Sequence, residues 1–179
     1  GDFILSAGDN VDNGKNIFHW EWLLNHQTAV WGNNLLLSAA GNHEDDGMIN
    51  KIFANPTGAT ITETGYYYSI DYKGVHFVVL DTNDLASENT LSDAQTLWLE
   101  EDLENSTANQ KINWTIVLLH KGPYTAGSHA FDADVEGLRE QLTPIFAENG
   151  VDVVLQGHDH TYSVSEYIGA DGKPVEVER

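Results

Sequence analysis

Five short apolar runs in this chain each end on residues that bind metal ions or shape turns, and no other feature constrains the fold as tightly. Residues 3–7 lead into Gly8-Asp9-Asn10-Val11-Asp12-Asn13-Gly14, and residues 35–40 into Gly41-Asn42-His43-Glu44. Residues 78–80 lead into Asp81, 116–119 into His120, and 151–156 into Gly157-His158-Asp159-His160. Runs of this length, rich in Val, Ile and Leu, read as buried strands. The segments between them have helical period, so the chain reads as a layered α/β fold with mixed sheets. Ligands in open α/β sheets sit beyond the carboxyl ends of the strands, so turns far apart in sequence are expected to meet at one site.

Strands are expected over 3–7, 35–39, 66–72, 75–80, 114–119, 151–156 and 162–168, with a hairpin turn at Asp71-Tyr72-Lys73-Gly74-Val75. One helix is expected over 15–30, with Phe18, Trp22 and Leu23 on its inner face. A second starts at Ser92, whose hydroxyl can cap while Gln95 reaches back, and runs through Leu97, Trp98 and Leu103. A third is expected over 134–148 with Leu138, Leu142, Ile145 and Phe146 as its stripe, and Pro144 predicts a kink or an early stop there. A chain of 179 residues that is 41% apolar suffices for one domain, 1–179, with a sizeable core. Both ends run in strand-like sequence, at Gly1-Asp2-Phe3 and Val175-Glu176-Val177. The expectation is a piece of a longer parent chain.

Lys and Arg number 8 against 28 Asp and Glu, a net charge of -20. No basic patch can be assembled from so few cations, so no nucleic-acid surface is expected. Anionic membrane surfaces should repel the chain, and it contains no apolar run of membrane-spanning length. A phosphorylated small substrate stays compatible, because a bound cation reverses the local field whatever the global charge. With no cysteine, thiolate metal sites, disulfides and a cysteine nucleophile are excluded.

Asp9, Asn42, His120, His158 and His160 form a mixed nitrogen and oxygen donor set suited to iron, zinc or manganese. An aspartate can bridge two cations through its two oxygens, and an asparagine completes a shell without adding charge. Two histidines two apart in one extended turn can serve one metal each.

In these blocks the sequence resembles the calcineurin-like metallophosphoesterases, and within them most nearly the purple acid phosphatase-like branch. The resemblance rests on Gly-Asp-x-x-Asp-x-Gly at 8–14, Gly-Asn-His-Glu at 41–44, His120 with its following Lys121-Gly122-Pro123-Tyr124, and Gly-His-x-His at 157–160, in that order. It implies a βαββ-type sandwich carrying two metal ions bridged by Asp9, with Asn42, His120 and His158 on one ion and His160 on the other. It implies hydrolysis of phosphate esters, monoesters foremost, by a metal-activated hydroxide attacking in line. His43 would be a catalytic proton donor beside the leaving oxygen rather than a ligand, and Asp12 would orient it and favour its protonated form. A phosphodiesterase or nucleotidase using the same centre, or a catalytically incomplete metal-binding fragment, are the alternatives.

Two departures qualify the resemblance. The family's opening Asp-x-His or Gly-Asp-x-Gly block has no counterpart here, which leaves the second ion short of ligands. Asp12 stands where the purple branch has the tyrosine whose phenolate colours the iron, so no purple colour is expected. Of the other candidates, His129 lies in the loop after His120 within reach of a substrate phosphate, and Asp81 ends a strand on the same edge. Glu44 is expected to brace its turn, His76 to be structural, and His19 and His26 to face solvent. Asn105-Ser106-Thr107 and Asn113-Trp114-Thr115 have the form of glycosylation sequons, which carry meaning only in a secreted eukaryotic protein. The oligomeric state is left open, and a secreted or bacterial cell-surface location is the favoured compartment.

Overall fold

The computed structural model describes residues 3–44 and 48–176. Seven strands are present among them: β1 (Phe3–Ser6), β2 (Leu35–Ser38), β3 (Thr60–Ile61), β4 (Tyr66–Tyr72), β5 (Val75–Val79), β6 (Trp114–Leu118) and β7 (Val153–Leu155). The helices among them are α1 (Ile17–His26), α2 (Thr28–Trp31), α3 (Ile49–Ile52), α4 (Asp93–Ala108) and α5 (Ala133–Glu148), with a 3-10 turn at Asn42–Glu44.

Strands β1 and β2 pair in parallel, Phe3 opposite Leu35 and Ser6 opposite Ser38. The other five form one sheet in the order β3-β4-β5-β6-β7. Its first two pairings are antiparallel, and β5, β6 and β7 are parallel. The metal-binding residue types therefore follow the carboxyl ends of parallel strands in both sheets.

Alternation along β5 builds the layers, because successive side chains leave a strand on opposite faces. Phe77 and Val79 join Trp20, Leu37 and Ile49 in a core beneath the β1-β2 sheet. There Phe3 meets Phe77 edge-on, with ring centres 5.0 Å apart. Val78 and Leu80 point the other way, into a second core with Leu99 and Leu103 of α4 and Leu138 and Leu142 of α5. Each of these fully buried leucines contributes about 1.5–3 kcal/mol.

Several expectations are corrected. Helix α5 runs through Pro144 to Glu148 without stopping. A proline inside a helix costs about 3 kcal/mol, and burial of Val135, Leu138, Leu142 and Phe146 along the same helix outweighs that. The helix expected over 15–30 starts at Ile17 under an Asn16 cap and is broken at Gln27, whose ψ of 7° leaves the helical basin. Its inner face carries Trp20 and Leu23, whereas Phe18 and Trp22 are 70% and 61% exposed. Trp20 is fixed there by its indole N–H, which donates to the Gly14 carbonyl at 2.8 Å. Trp114, the first residue of β6, is 56% exposed.

At α4 the Ser92 hydroxyl does accept from the Gln95 amide. The Gln95 side chain, however, turns away to pair with both the N–H and the C=O of Asp81, at 2.9 and 3.0 Å. That buried backbone just past β5 has no strand partner, and an unpaired peptide group there would cost more than half a capping box gains. Residues 162–168 are not a strand, since Tyr162 is 95% exposed and Ile168 makes one isolated bridge, to Pro174. Strand β3 and helix α3, two and four residues long, are too short to show a period.

Candidate metal centre

The site starts as two turns pressed together at the ends of β1 and β2. Asn10 ties the strand ends, accepting from the Ser6 hydroxyl at 2.6 Å and donating to Ser38 at 3.0 Å. The chain then turns sharply through Gly8 (φ +87°) and Asp9 (φ +53°). A side chain on Gly8 would start 2.7 Å from the Gly41 nitrogen and 2.8 Å from His120 Nδ1, so the close approach of the two turns requires glycine. Asp9 is held in a left-handed conformation that a non-glycine residue adopts at a cost, which the surroundings must offset.

Glu44 supplies that compensation. Fully buried, it accepts from the amides of Asp9 (2.9 Å), Gly41 (2.8 Å) and Val11 (3.1 Å). Burial pushes its carboxyl above the ordinary value, against the pull of these amides. The brace expected of this residue thus spans both turns.

The donor atoms meet above this platform. Asn42 Oδ1 lies 3.0 Å from His120 Nε2 and 2.9 Å from His158 Nδ1, and Asp9 Oδ2 lies 3.3 Å from His120 Nε2. Two ligands each about 2.1 Å from one ion, at angles of 90–109°, stand roughly 3.0–3.4 Å apart, and each of these three pairs, linked through Asn42 and His120, is close to that spacing. The chemistry of the set points the same way. His120 Nδ1 sits 2.7 Å from the Ala7 carbonyl, which can only accept. A proton on Nδ1 satisfies that carbonyl and leaves Nε2 aimed at the two oxygens, the orientation a metal-ligating histidine needs.

Burial pushes the Asp9 carboxyl up, but the hydrogen bond and charge of His120 and the His43 amide outweigh it and hold the group below the ordinary carboxylate value. His158, also left-handed (φ +66°), is pushed below the ordinary histidine value by burial and then by the neighbouring His120, His129 and Lys121. A neutral imidazole is the form that binds a metal. His160 is exposed and lines the same cleft of about 290 Å³ with Asp9, Asn42 and His158. Of the expected ligands, Asp9 and His160 are the two left for a second ion.

His43 lines the same cleft. Its amide donates to Asp9 Oδ1 at 3.1 Å, its Nδ1 lies 2.6 Å from the Asp12 carbonyl, and its Nε2 lies 4.0 Å from Asp9 Oδ2. The carbonyl of Asp12 thus orients the ring, while the Asp12 carboxylate is 3.9 Å from Nδ1 and 85% exposed. The His43 pKa is raised, first by the Asp12 carbonyl bond and then, against some burial, by the charges of Asp9, Asp12 and Glu44.

The loop after β6 brings in His129, Asp132 and, through Asp159, a tether to the His-x-His turn. His129 Nδ1 lies 2.7 Å from Asp132 Oδ2, and its ring centre is 4.2 Å from that of His158. The Asp132 hydrogen bond raises the His129 pKa. Sequence reasoning passed over Asp132 and Asp159, for which the only available signal was their position beside residues already singled out.

Asp81 lies outside the cleft. It is buried and accepts from the hydroxyls of Thr62 and Thr64 at 2.5 and 2.8 Å, pinning the turn before β4. His76 is clamped between Asp71 (2.6 Å) and Asp102 (2.9 Å), far along β5 from the site, in the structural role expected of it. His26 is exposed and stacks on Trp22, while His19 is half-buried.

Residues 1–162 match the family model described as calcineurin-like phosphoesterase. Purple acid phosphatase 17 of Arabidopsis thaliana is 30% identical over 182 residues, which cover 89% of this chain and 52% of that protein. A purple acid phosphatase of Glycine max is 27% identical, covering 92% of this chain and 36% of its own length. The chain spans about half the length, or less, of the curated relatives it matches. Among solved structures, the purple acid phosphatase PPD1 from yellow lupin seeds superimposes with a TM-score of 0.69 over 88% of this chain and 30% of that one, at 22% identity. It shares the fold. The blocks that meet at this sheet edge fall within the stretch the family model matches, and the chain belongs to the calcineurin-like phosphoesterase family.

Proposed function

We propose that this domain hydrolyses phosphate esters, monoesters foremost, with a dinuclear metal centre in the cleft between His43 and His129. The observation that carries the reading is the chain of donor contacts in which Asn42 Oδ1 lies 3.0 Å from His120 Nε2 and 2.9 Å from His158 Nδ1, and Asp9 Oδ2 lies 3.3 Å from His120 Nε2. Asp9, Asn42, His120 and His158 would hold one ion, and Asp9 with His160 part of the second. Ions bound there supply charge neutralisation on the phosphoryl oxygens and activation of water as the nucleophile.

The chain's own groups do the rest. His43, with Nδ1–H fixed on the Asp12 carbonyl, keeps Nε2 free to carry a proton toward the leaving oxygen. Its raised pKa favours the protonated form at mildly acidic pH. His129, held by Asp132, presents a second imidazole to the substrate from the facing wall. The two histidines supply cationic hydrogen-bond donors in a protein whose net charge of -20 would otherwise repel a phosphate.

The test compares p-nitrophenyl phosphate with bis-p-nitrophenyl phosphate on protein loaded with Fe, Zn or Mn. Turnover of the monoester at several times the rate of the diester, abolished by His158→Ala, is the expected result. Faster diester turnover would move the assignment to the phosphodiesterase alternative. Stoichiometric metal with no turnover of either would leave a metal-binding domain.

A further inference from the structure

Residues 121–132 contain no helix or strand, so side-chain anchors decide where His129 sits. Arg139 holds the flanks, donating to the Pro123 carbonyl at 2.6 Å and to the Ala130 carbonyl at 3.0 Å. The middle is held by one carboxylate. Asp159 Oδ2 accepts from the Thr125 hydroxyl (2.6 Å) and the His129 amide (3.2 Å). Its Oδ1 accepts from the Ser128 amide (2.9 Å) and the Ser128 hydroxyl (3.4 Å). The loop backbone presses directly on this carboxyl group, since a side chain on Gly127 would overlap it. Asp159 itself sits between His158 and His160, both of which line the cleft.

We propose that Asp159 is a positioning residue that fixes the His129 loop to the His-x-His turn and so sets where the His129 imidazole meets the phosphoryl group. The proposal rests on the phosphoesterase reading for what His129 contacts, and on this geometry alone for what holds it. The residue must be an acid rather than its amide. Four donors from the loop share two acceptor oxygens, and a carboxylate is all acceptor. Asparagine offers one oxygen and one NH₂, so on one side a donor would face the amide of Ser128 or His129. A buried or tight donor pair of that kind forfeits the hydrogen bond and repels.

The experiment uses the metal-loaded protein and the variants Asp159→Asn, His129→Ala, the double variant, and Thr125→Ser, which keeps the hydroxyl. Four readouts are needed: metal content, amide hydrogen exchange at Ser128 and His129, affinity for inorganic phosphate, and kcat/KM on p-nitrophenyl phosphate. For Asp159→Asn the expected result is wild-type metal content, faster exchange at both amides, and phosphate binding weakened about 10- to 100-fold. The accompanying loss in kcat/KM should approach about 10²-fold, as misplacement of a contact group by an ångström costs. His129→Ala should show matching losses, the double variant no more than His129→Ala alone, and Thr125→Ser wild-type exchange. The proposal is overturned if Asp159→Asn strips metal, if the two amides keep their protection, if losses multiply in the double variant, or if His129→Ala binds phosphate as wild type. Wild-type protein that binds metal and phosphate but turns over no ester overturns the phosphoesterase reading instead, while the exchange and phosphate comparisons still decide the role of Asp159.

Discussion

Replacing Glu44 by glutamine changes no shape and tests how the turns that carry Asp9 and Asn42 are held. Oε2 of Glu44 takes the amides of Asp9 and Gly41, and Oε1 takes that of Val11. Glutamine can keep its oxygen on Asp9 and Gly41, but its NH₂ then faces the Val11 N–H. One hydrogen bond to a charged acceptor disappears, and a buried donor is left without a partner, at a cost of about 1.5–3 kcal/mol. For a domain of this size each kcal/mol lowers Tm by about 2–4 °C, so the expected fall is roughly 3–12 °C. Alanine orphans all three amides and should cost more, near the upper end for single substitutions at about 4–5 kcal/mol. Differential scanning calorimetry of metal-free protein reads the stability. Metal content after loading reads the alignment of Asp9 with Asn42, and both should fall together. A Glu44→Gln protein with unchanged Tm and full metal content would refute the idea that this carboxylate sets the two turns.

His43→Ala should lower kcat about 10²- to 10⁴-fold with metal content intact, and the loss should shrink for leaving groups that need no proton. Asp12→Asn should do far less, because the ring is oriented by the Asp12 carbonyl, and equal losses in steady-state kinetics would contradict that contact. Asn42→Ala or His158→Ala should remove metal and activity together by elemental analysis, whereas activity without metal would detach the chemistry from these donors. The His76 pKa is raised, with burial opposing and Asp102 and Asp71 raising it. A raised folded pKa means that the stabilisation is complete below the unfolded value of about 6.5 and is lost as pH rises through the folded value. Urea unfolding should therefore weaken from mildly acidic to alkaline pH, and Asp102→Asn should flatten that dependence; a profile unaltered in the variant would rule it out.

The candidate site was legible because its residue types cannot substitute for one another. Glycine before Asp9, an amide at Asn42 and imidazoles at 120, 158 and 160 each follow an apolar run, and the parallel pairing of β1 with β2 and of β5, β6 and β7 does bring those run ends to common edges. The long helices were legible for the same reason, since Leu103 on α4 and Leu138 and Leu142 on α5 face the core, although Leu97 is 68% exposed and the buried neighbour is Leu99. Failures came where a tertiary contact overrode a local rule. Pro144 stays inside α5 because the buried stripe outweighs it, and Gln95 abandons its cap for the unpaired backbone of Asp81. Residues 162–168 alternate as a strand would, yet alternation specifies a strand only if a partner edge exists. The Asp159 tether was invisible because an acid between two histidines has no pattern of its own; its function appears only once Thr125, Ser128 and His129 fold onto it.

The most direct test of the central claim is anomalous diffraction from crystals of the zinc- or manganese-loaded protein. The account predicts a strong peak about 2.0–2.2 Å from Asp9 Oδ2, Asn42 Oδ1, His120 Nε2 and His158 Nδ1, with any second, weaker peak between Asp9 and His160. A principal peak held by His129, Asp132 and His158, whose donor atoms all lie within 4.8 Å of one another, would contradict it.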